Sequence, residues 1–111
     1  MDDCVFCNIV NKQLQSEILH ETDELIVIRD IFPKAPVHLL VIPKQHIDSI
    51  TDITATDSGL IGSLIVVAKE MAESQDIARG GYKLMFNVGK DGGQVVPHIH
   101  LHLMGGKTMG E

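Results

Sequence analysis

The chain has 111 residues, a formal net charge of −6 and no Trp. That length suits one domain, residues 1–111, with a modest core, and the acidic balance excludes broad attraction to a nucleic-acid backbone, which needs clustered Lys and Arg. No apolar run approaches the roughly 20 residues that span a bilayer, and no basic-then-apolar leader opens the chain, so a cytoplasmic protein without membrane contact is expected.

The two cysteines, Cys4 and Cys7, form a C-x-x-C pair. In a reducing compartment this spacing favours metal or redox chemistry over a structural disulfide. Residues 4–10 read as a short helical turn with Val5, Phe6 and Ile9 on one side, a flap over one edge of the core. Residues 16–19 and 25–28 read as short strands, and 20–24, including His20, as the polar hairpin loop between them. Asp30 closes the second strand, where an Asp commonly caps nearby backbone amides. Two prolines, Pro33 and Pro36, mark a loop. Residues 38–42 are a largely apolar third strand, expected at the centre of the sheet, with His38 at its start.

Thr56, Asp57 and Ser58 offer capping oxygens for a helix over about 58–74. Leu60, Ile61, Leu64, Ile65, Ala68, Met71 and Ala72 recur at three- and four-residue steps and make one apolar face. Residues 82–88 read as a fourth strand. A glycine-rich loop, Gly89-Lys90-Asp91-Gly92-Gly93-Gln94, follows. Such a loop is common in hairpins, yet its amides can also form an anion-binding nest.

The loop leads into Pro97-His98-Ile99-His100-Leu101-His102-Leu103-Met104. Polar and apolar residues alternate here, the mark of a half-buried strand. On a strand His98, His100 and His102 share one face, while Ile99, Leu101 and Leu103 fill the core behind them. Imidazole titrates near neutrality, can attack an electrophile, shuttle a proton or bind a metal. A row of three on one support therefore points to a site.

His98-Ile99-His100-Leu101-His102-Leu103-Met104 resembles the His-φ-His-φ-His-φ-φ signature of the histidine triad (HIT) family, where φ is apolar. The following Gly105-Gly106-Lys107 resembles its Hint branch of purine nucleoside phosphoramidases. The likeness extends through Val5-Phe6, Arg29-Asp30-Ile31, Ala35-Pro36-Val37-His38, Val41-Ile42-Pro43-Lys44-Gln45-His46-Ile47, Asn87 and Gly92-Gly93-Gln94. It implies an α+β fold: an antiparallel sheet of about five strands, one main helix and one short N-terminal helix, assembled as a homodimer. The main helix would then pack across the dimer interface.

The resemblance also implies roles. His100 would be the nucleophile toward the α-phosphorus of a purine nucleoside 5′-phosphoramidate or aminoacyl-adenylate. His102 would support proton transfer, and His38 would stand near the catalytic face. A backbone carbonyl near His98 would fix the His100 tautomer. Val5, Phe6, Ile9 and Ile31 would belong to the nucleotide pocket, Asp30 would accept from the ribose hydroxyls, and Asn87 with the Gly93-Gln94-Val95 backbone would bind phosphate oxygens. Many Hint proteins carry Ser at the position of Val95, so phosphate contact there falls to the backbone amide. Some bacterial members hold zinc at positions matching Cys4, Cys7, His46 and His98, which makes these a candidate structural zinc site. Magnesium is not required by this scheme. Two other functions are compatible with the same residues: a Fhit-like dinucleoside polyphosphate hydrolase, and a nucleotide-binding or zinc-stapled interaction module with little turnover.

Overall fold

The computed structural model describes residues 3–111. In chain order it runs through helix α1 (Val5–Val10), strands β1 (Ile18–Glu21), β2 (Leu25–Arg29) and β3 (Val37–Pro43), helix α2 (Ser58–Ser74), and strands β4 (Tyr82–Met85) and β5 (Leu101–Gly105). The five strands form one sheet in the order β1-β2-β3-β5-β4, every neighbouring pair antiparallel. This is the expected α+β architecture, with β3 at its centre and β5 between β3 and β4.

Strand alternation divides the interior in two. Leu25, Val27, Leu39, Val41, Leu101 and Leu103 face α2 and pack with its Leu64, Ala68, Met71 and Ala72. Ile26, Ile28, Leu40 and Ile42 face the other way and pack with Cys4, Phe6, Cys7 and Ile9 around α1. Because β2 and β3 are covered on both faces, they read as near-continuous apolar runs instead of alternating ones. Each fully buried Leu, Ile or Val contributes about 1.5–3 kcal/mol, so the sheet's centre is its most stable part.

Several elements depart from the sequence reading. His20 lies in β1, exposed, and not in the hairpin loop. A register shift between Ile18 and His20 lets the strand run to Glu21, where Lys12 and Lys44 meet its carboxylate. Val5 does not share the buried side of α1. It is 37% exposed, while Phe6, Cys7 and Ile9 point inward. The helix is rotated so that Cys7 reaches the interior, and Cys4 caps it, accepting from the Cys7 amide at 3.4 Å. Ile65 of α2 lies off the core face with Val66, both exposed. The capping box belongs to Thr54 and Asp57 on the short turn Ala55–Asp57, just ahead of α2. β4 ends at Met85, opposite His102 and short of the expected residue 88, although β5 continues one residue further to Leu101.

The histidine stretch departs most. Only His102 lies within a strand, since β5 begins at Leu101. Pro97 supplies no N–H for a ladder. The His98 amide turns back onto the Val96 carbonyl at 2.8 Å, and the Ile99 amide bonds the Ile47 carbonyl at 2.8 Å. The backbone before β5 is therefore tied to the segment carrying His46. Alternation of facing survives, though not of burial: Ile99, Leu101 and Leu103 join the α2-side core, while His98 and His100 are buried on the other side.

Candidate active site

The site sits on the sheet face opposite α2. His38 from β3, His102 from β5, and His98 and His100 from the segment before β5 bring their rings together. The His100 and His102 rings are 5.1 Å apart, and the His38 and His102 rings 5.2 Å. The three histidines of the motif do lie along one row, and Phe6 of α1 packs edge-on against His100 at 5.0 Å and His98 at 5.8 Å.

Hydrogen bonds assign the tautomers. His100 Nδ1 lies 2.7 Å from the His98 carbonyl oxygen. A carbonyl only accepts, so His100 carries its proton on Nδ1 and its Nε2 lone pair is left for chemistry. The Lys34 amide donates to His38 Nδ1 at 3.0 Å. Neutral His38 then bears its proton on Nε2, which sits 2.9 Å from His102 Nδ1 and 3.3 Å from Asp30 Oδ2. His102 accepts on Nδ1 and therefore presents an Nε2–H. An imidazole with a free lone pair thus stands beside one offering a proton.

Burial favours the neutral forms. It is the first cause lowering the affinity for protons of His38, His98 and His100. His102 is pushed down to about 4, by burial first and then by the neighbouring His100 and His38. Neutral His100 is the nucleophilic form near pH 7.

Asp30, His38 and His102 are close enough to suggest a metal cluster. The tautomers argue otherwise. With the Lys34 amide on Nδ1, His38 Nε2 holds a proton and has no lone pair for a cation. The His38 Nε2–H goes to His102 Nδ1 at 2.9 Å, with the Asp30 carboxylate 3.3 Å away. Asp30 also accepts from the Phe32 amide at 2.8 Å through Oδ1, as a turn-capping Asp does.

A second cluster has the opposite character. Cys4, Cys7, His46 and His98 place four ligand atoms within 4.8 Å of one another. The Cys4 Sγ–His98 Nδ1 distance is 3.3 Å, Cys7 Sγ–His46 Nδ1 3.2 Å, Cys7 Sγ–His98 Nδ1 3.6 Å, and His46 Nδ1–His98 Nδ1 3.1 Å. Tetrahedral zinc with bonds of about 2.3 Å to sulfur and about 2.0–2.1 Å to nitrogen would hold such atoms roughly 3.6 Å (N to S) and 3.3 Å (N to N) apart. The donors fit within a few tenths of an ångström. Both imidazoles turn Nδ1 inward because Nε2 is engaged elsewhere: His98 donates to the Pro43 carbonyl at 2.8 Å, and His46 to Asp48 Oδ1 at 2.6 Å. Such outer partners orient metal-binding histidines. Burial, and then the adjacent Cys4, raise the Cys7 thiol to about 11. A thiolate at Cys7 is costly here unless a cation shares the site. These four residues could hold a metal ion.

The glycine-rich loop is tighter than a simple anion nest. The Gly93 amide bonds the Lys90 carbonyl and the Gln94 amide the Gly89 carbonyl, each at 3.0 Å. Two of the three amides expected to meet phosphate are thus engaged within the turn. Gly89 and Gly93 have φ of +70° and +80°, and a Cβ on Gly92 would collide with the Val88 carbonyl, so glycine is required here. Asn87 Nδ2 donates to the Gly92 carbonyl at 2.8 Å. Val95 (88%) and Ile31 (80%) are largely exposed, while Phe6 and Ile9 are buried. The expected pocket residues therefore differ: Phe6 packs on the histidine row, Ile9 is core, and Val5, Ile31 and Val95 are exposed.

Sequence reasoning missed Asp48 as the partner of His46, the Lys34 amide on His38 and the side chain of Gln94. Only Asp48 left a signal, an Asp two residues beyond a candidate metal histidine.

An α+β sheet carrying imidazoles of fixed tautomer beside a two-thiol, two-imidazole cluster defines a histidine-centred transfer or hydrolysis site. Residues 3–111 match the family model described as "Scavenger mRNA decapping enzyme C-term binding". The chain is 38% identical to the purine nucleoside phosphoramidase of Escherichia coli K12 over 109 residues, 98% of this chain and 92% of that protein. It is 39% identical to protein HitA of Neisseria gonorrhoeae over 105 residues, 95% of this chain and 97% of that one. A HIT family hydrolase from Legionella pneumophila has the same fold, with TM-score 0.96, 42% identity and coverage of 97% of this chain and 96% of that chain. A histidine triad protein from Clostridium difficile also superposes at TM-score 0.96, with 35% identity and coverage of 100% and 96%. The chain belongs to the histidine triad family.

Proposed function

We propose that this protein is a purine nucleoside phosphoramidase that hydrolyses nucleoside 5′-phosphoramidates or aminoacyl-adenylates through a nucleotidyl-histidine on His100. The observation that carries the reading is the bond from His100 Nδ1 to the His98 carbonyl, which leaves the His100 Nε2 lone pair free to attack. In the first step Nε2 bonds to the α-phosphorus and the bond to the leaving group breaks: phosphorus–nitrogen in a phosphoramidate, phosphorus–oxygen in an aminoacyl-adenylate, whose carboxylate leaves as the anion. The amine leaves with a proton, for which the His102 Nε2–H is the available donor. In the second step water attacks phosphorus and gives a proton back to His102 Nε2, the histidine–phosphorus bond breaks, and the nucleoside monophosphate departs. Splitting the displacement in two lowers each barrier.

Phe6 with the exposed Val5 and Ile31 would hold the base, behind which Ile9 packs, and Asp30 the ribose hydroxyls. Asn87 and the Gly93-Gln94-Val95 segment would bind phosphate, chiefly through the Val95 amide. Cys4, Cys7, His46 and His98 would hold zinc, which would pin α1 against the motif and stay out of the chemistry. Exposed Ile65 and Val66 on α2 and Leu84 on the edge strand β4 support a homodimer built across that side. Similarity to a purine nucleoside phosphoramidase and to a HIT family hydrolase supports hydrolysis.

The test is His100→Asn. Turnover of adenosine 5′-phosphoramidate should vanish while AMP binding is largely kept. Wild-type protein quenched and digested at alkaline pH, where a histidine–phosphorus bond survives, should show an added nucleotidyl mass on the His100 peptide. Wild-type turnover by the variant would refute the nucleophile assignment. Faster cleavage of diadenosine polyphosphates than of the phosphoramidate would favour the Fhit-like alternative.

A further inference from the structure

Gln94 has a side chain whose every polar atom is spent on backbone. Nε2 donates to the Asp48 carbonyl at 2.6 Å and to the Val96 carbonyl at 3.0 Å, and Oε1 accepts from the Gly89 amide at 2.9 Å. Its own amide bonds the Gly89 carbonyl. One residue therefore closes the glycine-rich loop at both ends and ties it to the 46–48 segment. That segment carries His46 and, through the Ile47 carbonyl, receives the Ile99 amide of the histidine row.

We propose that Gln94 is a positioning residue for the phosphate seat. By clamping Gly89, Val96 and Asp48 together it fixes the direction of the Val95 amide relative to His100. The proposal rests on the phosphoramidase reading, in which that amide meets phosphate. The physical argument is one of order. A loop containing Gly89, Gly92 and Gly93 has much backbone freedom to lose, and unfixed amides pay that entropy on every binding event. Three side-chain hydrogen bonds made in advance remove that cost before the ligand arrives. The residues proposed for base and ribose, Phe6, Val5, Ile31 and Asp30, take no part in these three hydrogen bonds, so the effect should fall chiefly on the phosphate.

The experiment compares AMP with adenosine by calorimetry on the wild type, Gln94→Ala and Gln94→Met. Methionine keeps the length and bulk of glutamine and removes its amide. Both variants should bind AMP about tenfold more weakly, the scale of one or two lost hydrogen bonds, with adenosine affinity within twofold of wild type. Equal loss for the two ligands, or wild-type AMP affinity in Gln94→Met, overturns the clamp. If the wild type itself gains nothing from the 5′-phosphate, the phosphoramidase reading of the loop fails instead, a separate outcome. A loss that Gln94→Ala shows and Gln94→Met does not would mark the residue as a filler of space and would also overturn the proposal.

Discussion

His38 is expected to act on the reaction without touching the reacting atoms, through the proton it lends to His102. Replacing it with Ala removes the 2.9 Å bond to His102 Nδ1 and leaves the Lys34 amide without its 3.0 Å acceptor. A neutral hydrogen bond contributes about 1 kcal/mol net, and a buried polar atom left unpaired costs about 1–3 kcal/mol. His38 itself is 4% exposed, so water does not easily replace it. If about 1.4–2.8 kcal/mol of this falls on the tautomer of His102, the rate drops roughly 10- to 100-fold. The fall should appear in kcat, because the Nε2–H of His102 matters when the leaving amine takes its proton. Nitrogen-15 NMR of the imidazoles should show His102 moving from the Nε2–H form to a mixture. Gln at position 38 offers an amide donor of similar reach and should recover part of the rate. Unchanged kcat in the Ala variant, with the His102 resonances shifted, would refute the argument that this tautomer governs turnover.

Metal analysis of protein purified without a tag should give one zinc per chain, and Cys7→Ser should lose it together with several degrees of Tm, since the cluster pins α1 to the motif; metal content near zero in the wild type would remove the zinc assignment. Stability should also fall on the acid side. His102 is held at about 4 in the fold against about 6.5 when unfolded, so the unfolded chain binds the proton first. Its contribution is full above pH 6.5 and drains away as pH falls toward 4. The Tm difference between wild type and His102→Gln should therefore narrow from pH 7.5 to pH 5, a comparison in which metal loss is common to both; a difference that widens would contradict the sign.

The fold was legible wherever burial imposes a period. Alternation and apolar runs located all five strands, and the helix over 58–74 was placed at its observed ends, because cores reward those patterns directly. What sequence could not supply was the partner of each backbone amide. The alternation from His98 to His102 reads as strand throughout, yet the Ile99 amide goes to Ile47 and not to a neighbouring strand. Side-chain alternation persists without the ladder. In α1 the three apolar residues suggested one face, but the need of Cys7 to meet His46 and His98 turned Val5 outward. The glycine loop advertised open amides, while its tightness was invisible until the Gly93 and Gln94 bonds were drawn.

The register of β5 explains how a small protein keeps ionisable groups in place. Leu101 and Leu103 are 1% and 0% exposed against α2, and His102 and Met104 take the opposite face. A slip by one residue would exchange the two sets. It would lift two leucines from the core, a loss of about 1.5–3 kcal/mol each. It would also drive an imidazole into a lining that offers it no hydrogen bond, a further cost of about 1–3 kcal/mol. The penalty rivals the whole net stability expected of a domain, about 5–15 kcal/mol. The residues that aim the imidazoles are thus the leucines between them. Their burial, and not any attraction among the histidines, holds the row on the face opposite α2. His98 then adds a second constraint from outside the strand: its ring turns into the thiol cluster while its carbonyl holds His100. The same residue thereby joins a structural cluster to the site's free lone pair through a single peptide unit.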